Sequence, residues 1–372
     1  MTLVDTHSRR SAPTTDAAAV IKQEFDRQLS VGLHPAAALA VYVDGKLAVD
    51  ITGGISAPAT DRPTSHGSFF RIFSCGKPLA AACLWVLHER GKVQWDDPVA
   101  KYWPEFASKG KGGVTVRHVL THQAGIPSTP VELSDWRNIA DWGRCVSAME
   151  NAELEFAPGS RVQYHPGNFG WLVAELASRI SGQPFNDFFI KYVATPLGLK
   201  DTYFSLPPQL NGRVTKLKAM PGFENTPVAE AFNDERSYAF IMPGGGCISN
   251  ARDLARFYAA LNANGRIGDV AWLKQETVAD VIALHAESVD VESGRYQRRT
   301  LGMALGGEPP NTYASAWKSR THGHGGLGTS VTWSDPDIGV SAAYITTGLQ
   351  PDQINRDRLH AMSAAIRNAL AA

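Results

Sequence analysis

The chain has 372 residues, and its 36 Lys and Arg side chains balance 36 Asp and Glu side chains. Hydrophobic residues make up 44% and charged residues 19%, a composition that excludes a disordered chain and provides for a large core. Because a formal net charge of zero creates no broad field, we expect no nucleic acid and no anionic membrane as a partner.

Targeting and redox signals are weak in this sequence. No apolar stretch approaches the roughly 20 residues that a membrane span needs, and the first fifteen residues lack the apolar segment of a secretory signal. We therefore expect a cytoplasmic protein, in which cysteines stay reduced. No CxxC pair exists, which argues against a structural zinc site. The four cysteines are Cys75, Cys83, Cys145 and Cys247.

The first hundred residues alternate helix, strands and helix. Asp44-Gly45 separates two β-rich runs and is typical of a tight hairpin turn. Alternation of apolar residues and Ala/Leu richness indicate the other elements. The predicted elements are a helix over 15–29, strands over 36–43, 46–52 and 68–73, and a buried helix from Lys77 that ends at Gly91.

The middle of the chain is predicted to be mostly helical, and the end returns to strands and a closing helix. The predicted helices cover 115–122, 139–152, 169–180, 185–193, 252–263 and 356–370, and the last two strands cover 330–333 and 340–347.

This order predicts an α+β fold with two lobes. Strands at both ends of the chain should form one antiparallel sheet, with the terminal helices on one face. We expect residues 1–75 and 290–372 to form the α/β lobe and residues 76–289 a mostly helical lobe. The site should lie in the cleft between them.

Ser74 and Lys77 form an SxxK motif at a predicted strand-to-helix junction. Residues three apart lie on one face of a helix, so the Lys amine can reach the Ser hydroxyl. The helix N-terminus adds free N–H groups and partial positive charge. Two further SxxK pairs, Ser108–Lys111 and Ser315–Lys318, lack this context.

Other nucleophiles and metal sites fit the sequence less well. No Gly-x-Ser-x-Gly motif indicates an α/β-hydrolase elbow, and Cys75 would point about 100° away from Ser74 around the helix. His118 and His122 have the spacing of a zinc-protease motif, but Val119 replaces its Glu, so we interpret both as structural. His322-Gly323-His324 lacks an acidic partner, and its glycines favour a strand edge. When Tyr164 is considered without the other motifs, we interpret it as a core residue in a Gly/Pro turn. We predict no metal and no cofactor.

Seven segments, which follow one another along the chain in the same order as in the family, together resemble the superfamily of the serine β-lactamases and penicillin-binding proteins. The resemblance is closest to its class C β-lactamase-like branch. VTVRHVLTHQAGI is similar to a signature of that branch. The matching segments are 37–53, 73–78, 114–126, 156–185, 196–204, 243–257 and 323–340.

The resemblance implies a role for each matching position. Ser74 would be the acylated nucleophile, Lys77 would hold and deprotonate it, and Tyr164 would be the general base, its phenolate favoured by the lysine. Backbone N–H groups of Ser74 and Leu327 would form the oxyanion hole. The positions that would bind substrate are His324, Gly325, Gly326, His165 and Asn168.

Two departures from the family pattern bear on the substrate. Pro166 stands where the second motif usually has Asn, and His324-Gly325-Gly326 replaces Lys-Thr-Gly. Each lost polar contact would weaken the binding of a β-lactam by about ten- to a hundredfold. His-Gly-Gly motifs are typical of the family VIII carboxylesterases in this branch.

The resemblance thus implies a serine hydrolase with an acyl-enzyme intermediate, a carboxylesterase acting on small or aromatic esters. Three alternatives stay open: a β-lactamase or D-peptidase/amidase with the same site, an acyltransferase of a biosynthetic pathway, and an inactive binding protein. The oligomeric state is not predicted.

Overall fold

A computed structural model describes residues 15–307 and 318–371. Residues 1–14, where no secretory signal is expected, lie outside this range. Ser315 of the third SxxK pair lies outside it as well. Among the described helices, none is both long and apolar enough to cross a membrane.

Fifteen short and long strands occur in the described residues. They are β1 (Ala36–Val43), β2 (Lys46–Ala57), β3 (Arg62–Pro63), β4 (Phe70–Arg71), β5 (Lys218–Ala219), β6 (Ile248–Ser249), β7 (Arg266–Ile267), β8 (Val270–Ala271), β9 (Ala286–Val289), β10 (Tyr296–Arg299), β11 (Ala304–Leu305), β12 (His322–Gly326), β13 (Ser330–Asp335), β14 (Val340–Thr346) and β15 (Gly348–Leu349).

Eleven α-helical segments accompany them. They are α1 (Thr15–Ser30), α2 (Lys77–Glu89), α3 (Val116–Leu120), α4 (Trp142–Asn151), α5 (Asn168–Ser181), α6 (Phe185–Phe189), α7 (Thr195–Leu197), α8 (Pro227–Asn233), α9 (Ala251–Asn262), α10 (Gln275–Ile282) and α11 (Asp352–Leu370).

Nine strands form one antiparallel sheet in the order β3-β2-β1-β14-β13-β12-β11-β10-β9. The hairpin turn between β1 and β2 has positive φ at Asp44 and Gly45, as a tight turn of this kind requires. Strand β1 then pairs with β14, with Ala40 opposite Ala343. The expected sheet built from both ends of the chain is confirmed.

Helices α1 and α11 cover one face of this sheet. Ile21 and Phe25 on α1, and Met362 on α11, are buried against Leu39 and Tyr344 of the strands. The apolar stripe of each helix thus meets the apolar side of alternating strand residues, which is the layered packing that an α+β fold needs.

The opposite face of the sheet meets α9 and, beyond it, the helical body. All but the last two residues of α2 are buried, since the helix runs through the largest core cluster. Trp85 on α2 stacks on Phe257 of α9, with ring centroids 6.1 Å apart. This packing fixes the N-terminus of α2, where the predicted nucleophile lies.

Two parts of the sequence prediction differ from the structure. The predicted strand over 68–73 is reduced to Phe70–Arg71, because Phe73 turns into the left-handed region with φ of 48°. Strands β9 and β10 were not predicted, since half or more of their residues are polar, and β11 was not predicted because it has only two residues. Strand β9 joins the sheet although it precedes the expected boundary at residue 290, and the division into two lobes stays a prediction.

Candidate active site

Ser74 lies in a strained turn directly before α2. Phe73 to Gly76 form one 3-10 turn, and Phe73 has φ of 48°, a rare conformation for a bulky residue. The first N–H groups of such a turn have no partner within it, so the N–H of Ser74 is suited to bind an oxyanion. Strain of this kind persists only where the surrounding structure enforces it.

The three predicted catalytic side chains, Ser74, Lys77 and Tyr164, come together at the Ser74 hydroxyl oxygen. Lys77 Nζ lies 3.0 Å and Tyr164 Oη 2.8 Å from Ser74 Oγ. The lysine amine is also 5.0 Å from the centre of the Tyr164 ring. A proton that leaves the Ser74 hydroxyl therefore has two acceptors within hydrogen-bond reach.

The Lys77 amine is enclosed by backbone carbonyls. It donates to Gly244 O at 2.6 Å and to Pro166 O at 2.7 Å, and its side chain is fully buried. Burial lowers the pKa of Lys77 well below its ordinary value, and the positive charge of Arg299 lowers it further. Gly244 is not among the site residues predicted from the sequence, although its Pro-Gly-Gly-Gly segment lies within one of the matching motifs.

Tyr164 is held by both its backbone and its ring. Its N–H donates to Asp290 Oδ2 at 3.1 Å, and its ring packs 4.7 Å from that of His122. His122 lies just after α3 and has a left-handed backbone conformation, with φ of 62°. Its Nδ1 accepts the N–H of His165 at 3.1 Å. Burial keeps the pKa of His122 well below its ordinary value. This histidine is thus a neutral support for the second motif.

His165 and Asn168 brace the neighbouring loop. His165 Nε2 accepts the N–H of Ile126 at 3.2 Å, and Asn168 Nδ2 donates to Ile126 O at 2.7 Å and Ser128 O at 2.9 Å. Both side chains are buried, and neither lines the cavity in front of Ser74. Their predicted contact with substrate is not what this arrangement provides.

Strand β12 brings the third motif against the Ser74 turn. The His324 carbonyl accepts the Cys75 thiol at 3.3 Å, and a Cβ on Gly326 would lie 2.7 Å from Ile72 O, so only glycine fits there. The His324 ring is fully buried, and its centroid lies 5.9 Å from that of Tyr164. Burial first, then the charge of Lys77, lowers its pKa well below the ordinary value. His324 is therefore neutral and, unlike a lysine, brings no charge to the cavity wall.

The turn after β12 is held in place by a buried arginine. Arg358 Nη2 donates to Gly328 O at 3.0 Å and to Thr329 O at 2.6 Å. The Thr346 hydroxyl donates to the same Thr329 carbonyl at 2.7 Å. These contacts fix the backbone next to Leu327, whose N–H is the second predicted oxyanion donor and whose side chain is 44% exposed.

A cavity of about 730 Å³ opens in front of Ser74. Its wall is mostly apolar. Two arginines also line it, and Arg295 Nη2 and Arg356 Nη1 each lie 3.8 Å from Asp352 Oδ2. Of the predicted substrate-binding positions, Gly325 and Gly326 line it, and His324 does not. The main apolar lining residues are Phe73, Leu133, Trp136, Ile139, Trp171, Val228, Phe232, Met242, Leu327 and Leu359.

The rejected candidates have structural contacts. Lys111 Nζ donates to the carbonyls of Ser108, Glu150 and Ala152 at 2.6–2.9 Å, and the Ser108 hydroxyl contacts Glu150 O instead. His118 completes a capping box with Thr115 at the start of α3. All four cysteines are buried free thiols. No cluster of potential metal ligands occurs within residues 15–307 and 318–371.

Comparisons with known proteins agree with this geometry. Residues 23–366 match the Beta-lactamase family. The chain is 29% identical over 341 residues to the esterase/beta-lactamase LipL of Mycobacterium tuberculosis, a match that covers 83% of this chain and 76% of that protein.

Two solved structures share the fold over almost the whole chain. A family VIII carboxylesterase superposes with a TM-score of 0.85 at 24% identity, covering 97% of this chain and 99% of the other. A penicillin-binding protein homologue from Caulobacter crescentus superposes with a TM-score of 0.82 at 27% identity, covering 95% and 99%. The chain belongs to the Beta-lactamase family, and the expected superfamily and fold are confirmed.

Proposed function

We propose that this member of the Beta-lactamase family is a serine carboxylesterase that forms a covalent acyl-enzyme on Ser74. One observation supports this most directly: Ser74 Oγ lies within 3.0 Å of both the Lys77 amine and the Tyr164 hydroxyl, at the wall of an apolar cavity. A hydroxyl with two proton acceptors and an open approach for a carbonyl carbon is suited to acyl transfer.

The reaction proceeds in two halves. Ser74 Oγ attacks the ester carbonyl while its proton passes to Lys77, directly or through Tyr164. The N–H groups of Ser74 and Leu327 stabilise the oxyanion, and the alcohol leaves with that proton. Water then attacks the acyl-enzyme and gives a proton to the same base. The base returns that proton to Ser74 Oγ as the acid leaves, which restores the free Ser74 hydroxyl.

The cavity wall supports a neutral, small or aromatic ester as substrate. Two tryptophans, Trp136 and Trp171, and Phe232 offer flat apolar surfaces. Pro166 has no side-chain donor for an acyl amide, and the position of the lysine that would bind a carboxylate holds His324, which is neutral and buried outside the cavity lining. The same wall therefore lacks the polar groups with which the family binds antibiotics.

β-Lactam hydrolysis is the second candidate, because the relative LipL is named both esterase and beta-lactamase and the Ser74 geometry suits either acyl donor. We also propose a cytoplasmic location, which the four buried free thiols support.

Parallel assays separate the two candidates. We expect a kcat/KM for p-nitrophenyl butyrate or phenyl acetate at least a hundredfold above that for nitrocefin, the loss expected from two missing polar contacts. Intact-protein mass spectrometry after ester treatment should find the acyl group on Ser74, and Ser74→Ala is the matched control. Equal kcat/KM values for ester and nitrocefin would refute the ester preference.

A further inference from the structure

A buried arginine without a described ion pair lies behind the active site. Arg299 ends β10 and is 1% exposed. Its Nη2 donates to Gln297 Oε1 at 2.8 Å, but Nε and Nη1 have no hydrogen-bond partner within the described part of the chain. A guanidinium that loses its hydration without a counter-ion is expensive, so a function at this position has to outweigh that cost.

The strand pattern directs this charge toward Tyr164. Gln297 and Arg299 are buried, whereas the alternating residues Tyr296 and Arg298 are partly exposed, as the pleat of a strand requires. Arg299 Cζ lies 5.4 Å from the centre of the Tyr164 ring. The guanidinium is thus within the range over which a charge acts on the Ser74, Lys77 and Tyr164 group.

The same hairpin also holds the backbone of the second motif. Ser288 Oγ of β9 accepts the N–H of Val162 at 2.9 Å, and Asp290 just after β9 accepts the N–H of Tyr164. The strands that carry Arg299 therefore fix Tyr164 in place as well, so the distance between guanidinium and phenol is set by one rigid unit.

Most other charged and titratable groups that face Ser74, Lys77 and Tyr164 are basic. Asp290 uses its carboxylate on the N–H groups of Tyr164, Glu292 and Ser293 and forms no ion pair with Arg299 among the described residues. Burial keeps the three histidines neutral at ordinary pH. The groups facing the site are Cys75 and Lys77 of α2 and its preceding turn, His122 after α3, Tyr164 and His165 of the second motif, Asp290 and Arg299 of the hairpin, and His324 of β12.

We propose that Arg299 is a positioning residue whose permanent charge keeps the Lys77 amine neutral, and therefore able to accept the Ser74 proton. A second positive charge on Lys77 would repel the first across a water-free interior. The same field favours negative charge on oxygen atoms near Ser74. The inference depends on the proposed role of Ser74 as nucleophile, and it concerns proton transfer because the buried guanidinium does not line the cavity.

The test removes the charge and keeps the size of the side chain. Arg299→Gln and Arg299→Met are neutral, Arg299→Lys retains a charge, and Arg298→Gln on the outward face of the same strand is the matched control. The rate of Ser74 labelling by a fluorophosphonate is measured against pH for each folded variant, beside kcat/KM for p-nitrophenyl butyrate.

In the neutral variants we expect the acidic limb of the rate profile to move to higher pH by about one unit or more, the usual effect of removing a nearby like charge. Labelling at pH 7 should then fall roughly tenfold and recover at alkaline pH. Arg299→Lys and Arg298→Gln should keep the wild-type limb. A limb that stays in place in a folded neutral variant, or moves as far in Arg299→Lys, would overturn the inference. Wild-type protein that is not labelled at Ser74 would instead overturn the proposed function.

Discussion

Replacing Tyr164 by Phe and Lys77 by Met, singly and together, tests whether the two side chains act on the Ser74 proton as one unit. Both reach the same oxygen, at 2.8 Å and 3.0 Å. Loss of a general base costs about 10²-fold in rate, or about 2.7 kcal/mol. Independent effects would multiply to about 10⁴-fold, whereas a shared proton path should leave the double variant near 10², a coupling of about 2.7 kcal/mol.

The measurement is kcat/KM for p-nitrophenyl butyrate in the four proteins, with the release of p-nitrophenol in the first turnover reporting acylation. Lys77→Met leaves the carbonyls of Gly244 and Pro166 without their donor, so its thermal unfolding is recorded beside the rate. A double variant that equals the product of the single ones would refute coupling. Near-normal activity of Tyr164→Phe with an inactive Lys77→Met would make Lys77 the only base.

The pH profile of the wild type follows from the same amine. Neutral Lys77 is the competent base, so activity should rise with pH through the pKa of Lys77. Because burial lowers that pKa, the plateau should begin well below the ordinary value of 10.5. Three further outcomes are expected.

Ser74→Ala should reduce ester hydrolysis to background, while Ser108→Ala should stay near wild type because its hydroxyl contacts only a carbonyl; the reverse result would exclude the proposed nucleophile. Arg358→Met should lower kcat about tenfold or more with little change in KM, since it releases the turn next to Leu327, and Arg358→Lys should restore part of it. The free energy of unfolding in urea should fall by at least about 4 kcal/mol from pH 7 to pH 5. Three buried histidines with lowered pKa values protonate only when the chain unfolds, and each of them contributes about 2 kcal/mol to this fall. The carboxyl of Asp253, whose pKa is raised to about 6, offsets about 1 kcal/mol of it. A constant unfolding free energy would contradict this sign. The three are His34, with a pKa of about 3, and His165 and His322, with pKa values of about 4.

The elements with strong local signals were predictable from the sequence. Helix α1, the β1–β2 hairpin and α2 follow from apolar periodicity, a two-residue turn and Ala/Leu richness, all of which act within a few residues. The approach of Ser74 to Lys77 follows from helical spacing alone. The approach of Tyr164, 90 residues later in the chain, came only from the resemblance to the family.

The contacts that were missed depend on tertiary packing. Backbone carbonyls such as that of Gly244 bear no residue-type signal, and polar strands such as β9 and β10 have the pattern of exposed loops. The predicted substrate-binding role of His165, Asn168 and His324 rested on motif position, which does not determine whether a side chain faces the cavity or the core. All three are buried.

A neutral third motif and a buried arginine together connect the missed contacts to the choice of substrate. A cation on the wall of the cavity would bind an anionic acyl donor and also act on the proton path. In this chain the third motif instead has the buried, neutral His324, and Arg299 supplies charge from behind Tyr164, outside the cavity lining. The two arginines that do line the cavity, Arg295 and Arg356, each lie 3.8 Å from the carboxylate of Asp352. The charge of Arg299 acts on Lys77 equally for every substrate and attracts none of them. The arrangement therefore retains a positive field for acyl transfer while the wall in front of Ser74 stays suited to a neutral ester.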